Sequence, residues 1–281
     1  MISADLHIHT TRSDGSEDFS QVLEKAWACG LTHVAFTNHD SLSGIAEALS
    51  LQEQYAITII GGIEISAWDS VANTKAHILG LGFTDERAPA INALCAPTLE
   101  QRQATALWQI EQLKRHGYVL DPLVIQHYEQ DSTCLYKQHI MAALTEEPYG
   151  SPAYTTLYRS LFKGAGICVR PITYVDVCDA VQAIKEDGGI AILAHPGQFD
   201  NFALVPRLVD VGLDGIEKYH PDHGPREWQI VDQLTKDYHL ICTGGSDYHG
   251  AFGAAPSPGV CRISLPTTVI AKNSGHARVY R

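Results

Sequence analysis

The chain has 281 residues, of which 45% are hydrophobic and 19% charged. That is enough apolar matter for a sizeable core, and it excludes a disordered or collagen-like chain. Twenty Lys and Arg against 32 Asp and Glu give a net charge of −12, which disfavours broad attraction to nucleic acid or to anionic lipid. Fourteen histidines make the commonest metal ligand and proton carrier unusually abundant.

At about 150 residues per domain, the length suits two domains or one α/β barrel with an insertion. Short apolar runs at 2–6, 33–37, 57–60, 77–83, 189–194, 215–218 and 240–243 predict seven strands. Between them, 19–29, closed by Gly30, and 42–55, opened near Ser41, predict helices. This alternation suits a parallel sheet closed into a barrel. It lapses from about Pro97 to Cys178. There 98–116 reads as one helix, with Leu99, Arg102, Leu107, Ile110 and Leu113 near a 3.6 period, and 139–144 and 155–162 read as shorter ones.

The expected organisation is a barrel made of 1–96 and 179–281, interrupted by a mostly helical subdomain over 97–178. Lys114, Arg115, Lys137, Arg159, Lys163 and Arg170 fall in that insertion although the chain is acidic. The tail from Pro266 is polar and weakly patterned. No basic and apolar leader or membrane-length apolar run is found, so a cytoplasmic protein is expected. Seven scattered cysteines without a C-x-x-C pair read as buried thiols.

The polar residues that follow the strands carry the chemistry. His7 and His9 lie two apart on the first strand, so both imidazoles face one side. Asp14, His39, Glu64, His195, Asp247 and His249 mostly follow strands in turn, and His77 opens one. That is the barrel end where loops assemble active sites, and mixed imidazole and carboxylate suits Zn, Mn or Fe better than Mg or Ca.

Six ordered segments, D-L-H-I-H-T at 5–10, T-N-H-D at 37–40, G-I-E at 62–64, H-I-L-G at 77–80, A-H-P at 194–196 and G-S-D-Y-H-G at 245–250, closely resemble the polymerase and histidinol phosphatase (PHP) family of metal-dependent phosphoesterases. The resemblance implies an α/β fold, a distorted (β/α)7 barrel, holding three divalent transition-metal ions (Mn, Fe or Zn). One ion would take His7, His9, Glu64 and Asp247. A second would share Glu64 and take His77 and His195, and a third would take Asp14, His39 and His249. Asp5 and Asp40 are expected to orient imidazoles. Two departures stand out. Asn38 replaces a common Asp, and Lys137-Gln138-His139-Ile140-Met141-Ala142-Ala143 stands where a subgroup carries an R-P-H-I-A-R-like segment.

The implied reaction is attack on phosphorus by a hydroxide bridging two ions, with Glu64, Asp247 and His223 as the catalytic side chains. Lys137, Arg159, Lys163, Arg170 and His223 are the expected substrate-binding residues. The substrate would be a small phosphate ester, of the nucleoside 3′,5′-bisphosphate or cyclic sugar phosphate type, with no stable nucleic-acid complex and no membrane. Two other readings stay open: an amidohydrolase-type C–N hydrolase, and a non-catalytic metal-binding domain of the same family.

Overall fold

The computed structural model describes residues 2–265; the tail from Pro266 lies outside them. Strand β1 (Ile2–Ile8), helix α1 (Phe19–Ala28) and strand β2 (His33–Phe36) open the chain as a β-α-β unit. Helix α1 begins on a capping box. The Asp18 carboxylate accepts from the Gln21 backbone N–H at 2.8 Å, and the Gln21 side chain accepts from the Asp18 N–H at 3.0 Å. Gly30 closes it at φ 73°. The helix expected over 42–55 is broken in two, α2 (Ile45–Ser50) and α3 (Gln52–Tyr55), and starts later because Gly44 sits in the left-handed region just before it.

Strands β3 (Thr58–Asp69) and β4 (Thr74–Phe83) form a long antiparallel hairpin. Its turn is built by Asp69, whose carboxylate accepts from the N–H groups of Val71 and Ala72, and by Asn73 at φ 54°. Helices α4 (Pro89–Arg115), α5 (Pro122–Asp131), α6 (Lys137–Leu144) and α7 (Pro152–Phe162) follow. The chain returns to the sheet with β5 (Val175–Asp176), which pairs with β3. It then runs through α8 (Val177–Glu186), β6 (Ile190–Leu193), α9 (Pro196–Phe199), α10 (Val205–Asp210), β7 (Gly215–Tyr219), α11 (Pro225–Tyr238), β8 (Ile241–Gly244) and β9 (Ile263–Leu265).

The strand order is β8-β7-β6-β4-β3-β2-β1-β9. Neighbouring strands are parallel except that β4 runs against both β3 and β6, and β9 against β1. The sheet is therefore mixed rather than wholly parallel, a distorted barrel nearly closed on itself. Closure uses Asp5. Its buried carboxylate accepts from the N–H groups of Ser246 at 3.0 Å and Gly259 at 2.6 Å, and His9 N–H reaches Tyr248 O at 2.9 Å, tying β1 to the segment after β8.

One buried cluster joins Ala4, Leu6, Ala35, Leu79 and Ile192 from strands alone, and others pack the helices on the sheet. The insertion has its own cluster around Ile110, Leu113, Leu135, Ile140, Met141 and Phe162. Helix α4 belongs to both. Ile91 and Cys95 pack with the barrel and Ala106, Ile110 and Leu113 with the insertion, so the helix passes through Pro97 and starts nine residues before the predicted Thr98. Among the described residues no helix is long and apolar enough to cross a membrane. All seven cysteines are free, Cys95, Cys134 and Cys168 being buried and the other four half-buried.

Candidate metal centre

The nine ligand-type residues singled out in the sequence converge in three groups. These are His7, His9, Glu64 and Asp247; Glu64, His77 and His195; and His9, Asp14, His39 and His249, with the ligand atoms of each group within 4.8 Å of one another. Strand β1 delivers His7 and His9 on one face, as its period of two requires. Glu64 and His77 come from within β3 and β4, because the hairpin runs past the barrel mouth rather than ending there. His39, His195, Asp247 and His249 follow β2, β6 and β8.

Glu64 is the hub. Its Oε1 lies 2.7 Å from His77 Nδ1, 3.0 Å from His195 Nε2 and 3.4 Å from His7 Nε2; its Oε2 lies 3.1 Å from both His9 Nε2 and His39 Nδ1. Asp247 Oδ1 is 3.4 Å from His7 Nε2 and 3.2 Å from His9 Nε2. Burial works against charge on Glu64, but His77, His39 and His7 outweigh it and hold the carboxyl well below its usual range.

Of these contacts, those of Glu64 Oε1 with His77 Nδ1 and His195 Nε2 are hydrogen bonds, and the rest are close without one. His7 Nε2, His9 Nε2, Asp14 Oδ1, His39 Nδ1 and His195 Nδ1 are all buried and have no hydrogen-bond partner. Orphaned polar atoms of this kind are costly, and five in one place need a common partner. A divalent cation satisfies several lone pairs at once, so the donor set fits metal ions.

The backbone is bent to suit. His195 and Asp247, and Asp40 beside His39, hold positive φ values of 25°, 51° and 56°. Such strain in non-glycine residues is sustained where the surroundings demand it. Gly245 is needed for a different reason: a Cβ there would lie 2.2 Å from His7 Cβ.

The imidazoles are oriented by groups other than those expected. Asp5 accepts from backbone N–H groups and Asp40 from Ser66 N–H at 2.7 Å and from Arg102 at 2.7 Å, so neither touches an imidazole of the ligand set through its hydrogen bonds. Glu217 instead, fully buried on β7, lies 3.1 Å from His7 Nδ1 and accepts from His195 N–H at 2.8 Å. His249 Nδ1 reaches Asp247 O at 2.8 Å. Glu217 was missed; an acid inside the apolar run at 215–218 is the signal that could have found it.

Two clefts flank the centre. One, of about 180 Å³, is lined by Asp14, His39 and His77 together with Lys75, Arg102 and Lys137. The second, of about 190 Å³, is lined by His220, Asp222, Asp247, His249 and Tyr149. Gln138 borders both. Arg102 is committed to Asp40 and Ser66 and stacks over Tyr136 at 4.9 Å. Lys75 lies over Tyr174 at 5.0 Å. Burial, followed by the charges of Lys163, Lys75 and Arg102, pushes Lys137 down to about 8.

Of the expected substrate-binding residues, only Lys137 lines either cleft. Arg159, Lys163 and Arg170 are exposed, with Lys163 over Tyr158 and Arg170 over Trp108. Both nitrogens of His223 are engaged by backbone, Nε2 accepting from Gly197 N–H at 2.9 Å and Nδ1 lying 2.9 Å from Lys218 O, which leaves the ring no free polar atom for a substrate. His220, not singled out earlier, lines the second cleft with Nε2 3.4 Å from Asp247 Oδ2.

A nearly closed barrel carrying such a centre defines a class of metal-dependent hydrolases. The PHP domain model matches residues 5–160, and the chain belongs to the PHP family. It is a metal-dependent phosphoric ester hydrolase. A phosphoribosyl 1,2-cyclic phosphate 1,2-diphosphodiesterase from Eggerthella lenta is 54% identical over 91% of this chain and 97% of its own. A 3′,5′-nucleoside bisphosphate phosphatase from Chromobacterium violaceum is 27% identical over 89% of this chain and 88% of its own. Among solved structures, an amidohydrolase from Chromobacterium violaceum with bound sulfate superimposes with a TM-score of 0.78 at 25% identity, over 94% of this chain and 92% of that one.

Proposed function

We propose that the substrate is a cyclic phosphate of a sugar that carries a second phosphate group. The observation that carries this reading is the pair of lysines that line the same cleft as three of the ligand-type residues. Lys75 and Lys137 have no carboxylate partner among the described ion pairs and share a cleft with Asp14, His39 and His77. An ester to be cleaved at the metals would place its remote anionic group between them. The 54% identical relative is named for such a substrate, which supports the same reading.

Three ions would be held by the three groups described above, with Glu64 shared between two of them and His9 close enough to serve in two. Mn, Fe or Zn suits this donor set. Bound divalent ions supply Lewis acidity, making water nucleophilic at neutral pH and offsetting charge on the phosphoryl oxygens.

The chain's own residues do the rest. Glu64 and Asp247 keep negative charge at the centre, Glu217 fixes the His7 ring, and Lys75 and Lys137 orient the ester through its remote phosphate. Residues 97–178 act as the substrate-binding subdomain through Lys137. His220 takes over the place expected for His223 beside the reacting groups.

The test is hydrolysis by Mn-loaded protein, read as substrate loss and product formation by chromatography, of a pentose 1,2-cyclic phosphate with and without a 5-phosphate, a nucleoside 3′,5′-bisphosphate, a 5′-phosphorylated oligonucleotide and an N-acyl amide. The doubly phosphorylated cyclic sugar should give the highest kcat/KM, at least ten times that of the sugar lacking the 5-phosphate. Preference for the oligonucleotide or cleavage of the amide alone contradicts the proposal.

A further inference from the structure

The insertion reaches into the metal centre itself. Gln138, the second residue of α6, donates from Nε2 to Asp14 Oδ2 at 2.8 Å. The other oxygen, Asp14 Oδ1, is buried without a hydrogen-bond partner and lies 3.3 Å from His249 Nε2. One oxygen of Asp14 is therefore held by the insertion while the other is turned into the group of His9, Asp14, His39 and His249.

The same stretch is fastened to the loops that carry this group. Ser132 Oγ donates to Ser13 O at 2.9 Å, Thr133 N–H to Arg12 O at 3.1 Å, and Tyr136 O–H to His39 O at 3.3 Å. By contrast, every residue of the two groups built on Glu64 comes from the barrel strands and the loops after them. Among the described residues, Asp14 alone of the nine has its side chain hydrogen-bonded by a side chain of the insertion.

We infer that Gln138 is a positioning residue that holds Asp14 as a single-oxygen ligand, so that the Asp14 group binds its cation jointly through barrel and insertion. This rests on the metal-centre reading above. Loss of a partner that orients a ligand typically weakens metal binding about 10- to 100-fold, and here the loss should fall on one ion of three. Gln138 also lines both clefts, so the cation it helps to hold lies beside each of them.

The experiment titrates chelator-stripped full-length protein with Mn²⁺, following bound and free ion by electron paramagnetic resonance and counting equivalents by elemental analysis. Wild type, Gln138→Ala, Gln138→Leu and Ser132→Ala are compared. Gln138→Leu keeps most of the side-chain volume, and Ser132→Ala cuts a neighbouring fastening without touching Asp14. Three equivalents are expected for wild type and for Ser132→Ala. Both Gln138 variants should keep two equivalents at affinities within about threefold of wild type and bind the third at least about tenfold more weakly. An unchanged third affinity overturns the inference, as does an equal loss of all three or an equal weakening in Ser132→Ala. A wild-type protein that binds no Mn²⁺ overturns the metal-centre reading along with it, and that result is distinct from the others.

Discussion

Glu217 Oε1 lies 3.1 Å from His7 Nδ1 while Glu217 Oε2 accepts from the His195 N–H at 2.8 Å, so one buried carboxylate braces two of the candidate ligands. It fixes the His7 tautomer with the proton on Nδ1 and leaves Nε2 free toward Glu64 and Asp247. Glu217→Gln should keep the fold and lower metal affinity about 10- to 100-fold. A chelator competition assay reads this directly, and an unchanged affinity would show that Glu217 only packs.

Gly245 admits no side chain. An added Cβ would meet His7 Cβ at 2.2 Å and His7 N at 2.6 Å. Gly245→Ala must displace β1 or the segment after β8, an overpacking that costs about 1–3 kcal/mol. Denaturant unfolding of the metal-free protein should show that loss, and the Mn²⁺ titration should weaken with it.

What could be read in advance follows from chemistry that is local in sequence. The nine ligand-type residues stood out because His, Asp and Glu recur where apolar strands end, and the structure brings all nine together. Strand direction did not, since the apolar run at 77–83 looks the same whether β4 runs parallel or antiparallel to its neighbours. The start of α4 was hidden by Pro97, which usually marks a boundary but here sits inside a helix shared by two cores. Lys75 was passed over because the β3–β4 hairpin brings it to the cleft that Lys137 also lines, a proximity with no trace in spacing. Arg159, Lys163 and Arg170 shared only a segment with Lys137, and sequence proximity does not say which side of a helix faces the cleft.

Lys137 makes substrate binding depend on pH. Buried and surrounded by Lys163, Lys75 and Arg102, it titrates at about 8 instead of in the usual lysine range. The charged form, which attracts phosphate, is present below that pH and is lost as pH rises through it. KM for the doubly phosphorylated cyclic sugar should therefore climb above about pH 8. Lys137→Arg should abolish that climb, and Lys137→Ala should raise KM about ten- to a hundredfold at pH 7, in line with roughly 1.5–3 kcal/mol for a charge-assisted contact. Arg159→Ala and Arg170→Ala should leave kcat/KM nearly unchanged, since both side chains lie away from the clefts. Steady-state kinetics from pH 6.5 to about 9.5 separates these cases.

The central claim is that catalysis runs through a metal cluster organised by Glu64, the carboxylate that lies within 3.4 Å of five imidazole nitrogens. The most direct measurement is hydrolysis of the doubly phosphorylated cyclic sugar by Glu64→Gln beside wild type, both stripped and reloaded with Mn²⁺, with metal content determined on the same samples. The neutral amide leaves two neighbouring cations without the charge that offsets their repulsion. Glu64→Gln should show a circular dichroism spectrum like that of wild type, fewer bound equivalents, and turnover below about a tenth of wild type. Full metal content with turnover near wild type would contradict it.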